Sequence, residues 1–335
     1  MQIIQSRRDF LATMTAAGAA GVLGIRRSFA DEGPPEVTTI RLSFNKNICF
    51  APMDVAETFL RAEGFTDVRY VRTPGGFSAP QMIARGEVEF GSSFAGAVVY
   101  HLDAGLPITA VSGLHAGCYE LFAREPVRSV GDLKGRRVGV QTLTSSAHLY
   151  LSIMAKHVGL DPQEDIEWVV PPSGDAMQRF IAGETDAFLG FPPEPQELRA
   201  RRIAPVILST VMDRPWSQYF CCMIYGNRTW VRDHPVATKR FLRAVFKAAA
   251  FCQAEPENAA RRLVDGGFAE QYDYALQTIQ ELPYDLWHQY DSADSLRFYA
   301  LRLHETGMIT SSPNALLADG TDWRFVEELK RELKA

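Results

Sequence analysis

The stretch at residues 133–158, LKGRRVGVQTLTSSAHLYLSIMAKHV, decides how this chain of 335 residues folds. Lys134-Gly135 marks a turn and residues 137–141 a short strand, after which a hydroxyl-rich loop at 142–146 leads into a helix. Within that helix Leu149 and Ile153 form one row at i, i+4 spacing. Tyr150, Met154 and Val158 form an adjacent row, and His148, Ser152 and Lys156 share a third, so the helix is amphipathic. A helix start leaves backbone N–H groups without intrahelical partners, and Thr142, Thr144, Ser145 and Ser146 stand where those groups would face a ligand. The competing role for Ser145 or Ser146 is a plain N-cap.

The same unit recurs on both sides. Upstream, residues 39–44 alternate, with Ile40, Leu42 and Phe44 on one face, and a helix follows to about Glu63. A strand at 68–71 leads to the turn Thr73-Pro74-Gly75-Gly76-Phe77, and residues 86–93 give a strand running into a hydroxyl-rich loop. Next come a helix at 96–103, a strand at 108–111, a loop at 112–118 and a strand at 119–123. Downstream, strands at 166–170 and 186–189 flank a helix at 175–182, and the prolines of Pro192-Pro193-Glu194-Pro195 halt the chain. Strands at 205–208 and 219–225 precede a helical last third. Repeated strand–loop–helix units predict α/β architecture with mixed sheets, and ligands in such sheets bind at the carboxyl ends of strands.

The chain is 46% hydrophobic and 22% charged, an ordinary globular composition long enough for two domains. Residues 1–30 read differently. Ser6-Arg7-Arg8-Asp9-Phe10-Leu11 precedes a mildly apolar run at 12–25 and a small-x-small site ending at Ala30, the pattern of a cleaved export signal. Its paired arginines resemble the twin-arginine signal, which implies periplasmic delivery of a folded protein. The run is too short and too rich in Ala, Gly and Thr to span a bilayer, and no later stretch is long enough, so direct membrane insertion of the mature chain is not expected. Removing this segment, which carries +3, takes the formal charge from −5 to −8. Such an acidic chain without basic clusters is a poor nucleic-acid binder. The five cysteines, Cys49, Cys118, Cys221, Cys222 and Cys252, lack metal-knuckle spacing, and neither a metal nor a cofactor is expected. Cys221 and Cys222 alternate sides if they lie on a strand, which keeps them from pairing with each other.

The order of these features resembles the periplasmic solute-binding proteins of ABC importers, in the group for nitrate, sulfonate, taurine and thiamine-pyrimidine precursors. The resemblance rests on the first strand at 40–44 and on Gly86-Glu87-Val88-Glu89-Phe90-Gly91, where Glu89 replaces the usual acid of "G-x-x-D-x-G". Residues 129–140 match "s-x-x-D-L-K-G-K-x-V-G-V" with Arg136 for the second lysine. Gly183-Glu184-Thr185-Asp186-Ala187, and His234-Pro235 opening a long helix, complete it. The resemblance implies a two-lobed periplasmic-binding-protein fold of type II, two mixed sheets flanked by helices with the ligand cleft between them. Residues 36–123 would form lobe 1, 124–221 lobe 2, and 222–335 the remainder of lobe 1 with the C-terminal helices. It also implies reversible capture of a small-molecule solute and delivery to ABC permease membrane subunits, with no catalysis.

Candidate cleft residues come from the strand ends. Asn45 and Asn47 can donate and accept, although Asx-turn chemistry would explain them equally. Gly76 and Phe77 offer backbone N–H groups and an aromatic wall, Ser92 and Ser93 repeat the hydroxyl theme, and His115 stands between Gly113 and Gly117. The second lobe contributes Thr144, Ser145, Ser146, Phe191 and Glu194, with Trp216 and Tyr219 beside the return crossing. Lys46 is the one basic residue well placed in these loops. A neutral, aromatic, hydroxylated set, with Glu194 as a partner for a cationic group of the solute, favours a heterocyclic or aromatic solute over nitrate or a simple sulfonate. One rival is catalytic: pyrimidine-synthesising enzymes of thiamine formation share the fold and resemble this chain around Phe220-Cys221-Cys222-Met223. Cys49, Cys118 and His115 would then serve thiol–histidine or metal-dependent chemistry, although the enzymes' fuller cysteine run is absent here. A second rival is a periplasmic sensory module using the same cleft.

Overall fold

Ten strands, given by a computed structural model that describes residues 32–73, 78–172 and 174–333, fall into two five-stranded sheets. The export-signal reading of residues 1–30 and the candidates Gly76 and Phe77 lie outside the described residues. The first sheet contains β1 (Thr39–Phe44), β2 (Asp67–Arg72), β3 (Phe90–Phe94), β4 (Ile108–Ala116) and β10 (Phe220–Asn227), in the order β2-β1-β3-β10-β4. The second contains β5 (Glu120–Ala123), β6 (Arg136–Gly139), β7 (Ile166–Val169), β8 (Ala187–Gly190) and β9 (Val206–Ser209), in the order β7-β6-β8-β5-β9.

The two sheets are built alike. In each, the first strand of the β-α run pairs in parallel with the second and third, as β1 does with β2 and β3 and β6 does with β7 and β8. In each, one antiparallel strand, supplied by the chain just after it changes sheets, is inserted between the third and fourth: β10 in the first, β5 in the second. The chain thus crosses twice, between β4 and β5 and between β9 and β10. The strand Glu120–Ala123 pairs in the second sheet and not, as its position before residue 124 suggested, in the first. Sequence could not place that border, because buried strands read alike on either side of a crossing.

Most strand expectations agree with the chain's own periodicity; Ile40 and Leu42 of β1, for instance, are fully buried on one face. Two segments read as loops are strand. Ser92 and Ser93 are in β3, and Ser112 to Ala116 continue β4, all nine residues of which are buried. Polar residues survive there because each finds a partner: Ser112 Oγ donates to the Gly113 carbonyl at 2.8 Å, and Gly113 N–H donates to Ser292 Oγ at 3.0 Å. The proline run, read as a stop, opens the helix Glu194–Ala200 with Pro195 in its first turn, where a missing N–H costs nothing. Two short helices in the last third, Arg228–Asp233 and Pro313–Gly320, add to those the sequence predicts.

The helix Pro235–Ala254 backs the first sheet and carries the fully buried Arg243, whose guanidinium meets Glu63 at 2.9 Å, Glu32 at 2.7 Å and Glu332 at 3.2 Å. One core runs beneath both sheets, and a smaller one, with Phe122, Phe180 and Phe188 at its centre, covers the far face of the second.

Candidate functional site

The carboxyl ends of both sheets open onto one cavity of about 550 Å³. From the first sheet it is walled by Asn45, Lys46, Asn47, Cys49 and Phe50 after β1, Arg72 and Thr73 at the end of β2, and Ser92, Ser93 and Phe94 of β3. The second sheet supplies Gln141, Thr142, Ser145 and Ser146 after β6, and Phe191 after β8. Cys118 and Tyr119 at the outward crossing, with Cys222 and Tyr225 of β10, form the floor.

Of the residues singled out from sequence, Asn45, Asn47, Ser92, Ser93, Ser145, Ser146 and Phe191 line this cavity. Asn45 Oδ1 also accepts from Asn47 N–H at 3.0 Å, an Asx turn that shapes the loop. Ser92 Oγ donates to the Met223 carbonyl at 3.1 Å, which commits its proton to holding β3 against β10. Ser145 is the N-cap of the helix Ser146–His157, its Oγ accepting from His148 N–H at 3.3 Å.

Five candidates stand elsewhere. Thr144 is exposed and does not line the cavity. Glu194, proposed to meet a cationic group, turns back on its own loop, its Oε2 accepting from Phe191 N–H at 3.2 Å; burial pushes its carboxyl up to about 8 against that hydrogen bond. Trp216 is 3% exposed and packs edge-on to Tyr150, His157 and Phe298. Tyr219 stacks on Phe298 with centroids 4.0 Å apart. Aromatics near a crossing fill core, and nothing in their spacing separates that role from a cleft wall. His115 is 1% exposed, in β4 and not in a loop, and sits behind the cavity wall.

Several further residues line the cavity without a signal in the sequence. Tyr225 lines the floor with a buried hydroxyl that has no hydrogen-bond partner among the described residues, and Arg72 joins Lys46 as a second cation. Lys46 forms an ion pair with Glu270. Tyr119 lies edge-on to Phe191 at 5.4 Å and to Phe94 at 5.8 Å, so aromatic surface reaches the cavity from both sheets. Arg72 ends a strand whose alternation is weak, and only the sheet's register turns it toward the others.

At the floor, three lining cysteines meet a histidine from just behind it, all from distant parts of the chain. Donor atoms of Cys49, His115, Cys118 and Cys222 all fall within 4.8 Å of one another, and all four residues are buried. Cys221 Sγ is 3.5 Å from Cys118 Sγ, and all five cysteines are free thiols. Burial pushes Cys49 up to about 11. His115 goes up to about 10 because the facing Cys222 and Cys49 outweigh the downward pull of burial. This arrangement can hold a thiophilic metal or set a thiol against an imidazole.

A family model described as NMT1/THI5 like matches residues 47–259. Among curated proteins, the 4-amino-5-hydroxymethyl-2-methylpyrimidine phosphate synthase of Saccharomyces cerevisiae is 22% identical over 246 residues, covering 68% of this chain and 70% of the yeast protein. Among solved structures, the periplasmic nitrate-binding protein of Synechocystis PCC 6803 superposes with a TM-score of 0.75 at 16% identity, covering 90% of each chain. The alkanesulfonate-binding protein of Xanthomonas axonopodis pv. citri, solved with MOPS bound, gives 0.71 at 16% identity, covering 86% of this chain and 99% of that one. The two-sheet architecture is therefore the periplasmic-binding-protein fold. No helix among the described residues is long and apolar enough to cross a membrane.

Proposed function

The chain belongs to the NMT1/THI5-like family, and from that premise we propose that it is the solute-binding component of an ABC importer, capturing a small aromatic or heterocyclic molecule that carries an acidic group. The observation that supports this most is the makeup of the cavity. Phe50, Phe94, Tyr119 and Phe191 line it with aromatic side chains, while Arg72 and Lys46, the latter ion-paired with Glu270, bring positive charge to the same space. Its volume of about 550 Å³ suits a small organic molecule better than nitrate. A flat ring between aromatic walls gains from stacking, and a carboxylate or sulfonate gains from the two cations and from the helix start at Ser146. Walls drawn from two sheets joined by two crossings suit capture by lobe closure, which needs no nucleophile.

On this reading residues 1–30 direct export by the twin-arginine route, the protein works in the periplasm, and its macromolecular partners are the permease subunits. A thermal-shift screen of aryl and heterocyclic carboxylates, aliphatic sulfonates and nitrate tests it. A ligand of the first class should raise the melting temperature in proportion to the logarithm of its concentration. Silence across all classes, or a response to nitrate alone, would overturn the assignment of solute.

The cysteines and His115 at the floor favour a second reading, thiol–histidine chemistry on the bound molecule. It requires turnover. Intact solute recovered in full after long incubation and denaturation supports carriage, whereas a converted product, lost in Cys221→Ala, would favour the enzyme.

A further inference from the structure

Cys49 lies in the short turn after β1, His115 and Cys118 flank the end of β4, and Cys222 is in β10, so four separate backbone positions deliver one convergent set. Their donor atoms lie within 4.8 Å of one another. A tetrahedral ion with bonds of about 2.3 Å to sulfur and about 2.0 Å to nitrogen needs donors about 3.5–3.8 Å apart, a contraction of at most about 1.3 Å. The imidazole is already oriented for it. His115 Nδ1 lies 2.8 Å from the Gly117 carbonyl oxygen, which can only accept, so Nδ1 carries a proton and Nε2 is the nitrogen left for an ion, giving up its own proton when the ion binds. That Nε2 is buried and has no hydrogen-bond partner among the described residues. Metal-binding histidines are held in the same way, one nitrogen anchored to a carbonyl and the other left for the ion.

We propose that Cys49, His115, Cys118 and Cys222 bind one thiophilic metal ion of tetrahedral preference, Zn²⁺ or an ion of its kind, at the floor of the solute cavity. Three sulfurs with one imidazole select such ions over Mg²⁺ or Ca²⁺, which take oxygen ligands. Loading forms three metal–sulfur bonds and one metal–nitrogen bond and releases the displaced thiol and imidazole protons to solvent, with no change of oxidation state. The three cysteines line the cavity and His115 does not, so the ion is held from behind by nitrogen and faces the solute through its sulfur side. Cys221, 3.5 Å from Cys118, stays outside the set and contacts a ligand sulfur.

The site goes beyond the transport reading and its test needs no solute, so failure here leaves that reading standing. Reduced, chelator-stripped protein is titrated with Co²⁺ and then Zn²⁺. One equivalent of Co²⁺ should produce thiolate-to-cobalt charge-transfer absorption and the visible bands of a tetrahedral ion, and Zn²⁺ should displace it. Cys222→Ser and His115→Gln should each weaken metal affinity at least tenfold, while Cys252→Ser should leave it unchanged. If Cys222→Ser does not fold, His115→Gln, checked by circular dichroism, carries the test. Wild-type protein without the cobalt bands, or His115→Gln with undiminished affinity, would overturn the proposal.

Discussion

Ser145 and Ser146 are neighbours at one helix start and do different things. Ser145 is 1% exposed and its hydroxyl oxygen caps the helix through His148 N–H, whereas half-buried Ser146 lies at the cavity wall as the first helical residue. Ser145→Ala should cost about 1 kcal/mol of stability in urea denaturation, the usual worth of a serine cap. Ser146→Ala should leave stability within about 0.5 kcal/mol and weaken solute binding; equal affinity for wild type and variant would remove Ser146 from the binding surface. Glu194 adds a pH dependence. Its carboxyl rises from 4.5 to about 8 on burial, so between those values the folded chain holds more proton than the unfolded one. Its stabilising effect is complete below pH 4.5 and is lost as pH climbs through 8. His101 and His148 act in the other direction: burial pulls both down to about 4, so their contribution is present above pH 6.5 and is lost as pH falls toward 4. Glu194→Gln should therefore flatten the alkaline decline of the melting temperature and leave the acid limb unchanged; superimposable profiles would show that the buried carboxyl costs nothing. The hydroxyl-rich start was legible in the sequence because capping residues and ligand-facing residues are of the same types. That same overlap hid which serine does which.

At the scale of the element, β4 shows where periodicity ran out. A strand covered on both faces has no polar side, so Ser112, Gly113 and His115 looked like a loop although the strand continues to Ala116. Gly113 is there because the Phe220 ring of the neighbouring β10 lies over it: a Cβ at this position would lie 2.2 Å from that ring. Gly113→Ala must displace that ring, whose own backbone N–H is held by Ser295 Oγ at 3.0 Å, and should cost about 1–3 kcal/mol in chemical denaturation. A loss below about 0.5 kcal/mol would show that β4 and β10 separate readily. The signals for β1, β6 and β7 were stronger because each is an ordinary strand opening a β-α unit, with turn residues where its helix begins. The crossing strands β5 and β10 carry no such punctuation.

For the whole molecule, the two lobes touch at the cavity and also beside it. Arg199, on the helix after β8, pairs with Glu120 of its own sheet and reaches Glu281 at 2.6 Å, and Gln196 joins at 3.2 Å. Glu281 ends the helix Tyr272–Glu281, which packs on the turn after β1, so the contact bridges the two halves. Arg199 and Glu281 are 30% and 43% exposed, which limits such a pair to about 0–1 kcal/mol. At its upper end that shifts an open–closed balance about fivefold. Arg199→Ala should enlarge the radius of gyration of the solute-free protein in small-angle scattering and lower solute affinity by about that factor, with saturating solute restoring the compact form. An unchanged scattering profile would show that the bridge does not bias closure. The sequence by itself determined the α/β class, the two successive sets of strand and helix, and strand ends rich in hydroxyl, amide and aromatic groups, because each is written in local periodicity and turn chemistry. Only the tertiary structure decided which sheet each crossing strand joins, that Trp216, Tyr219 and Glu194 turn away from the cavity, and that Cys49, His115, Cys118 and Cys222 meet beneath it. These depend on contacts between residues far apart in the chain, and spacing along a sequence carries no record of them.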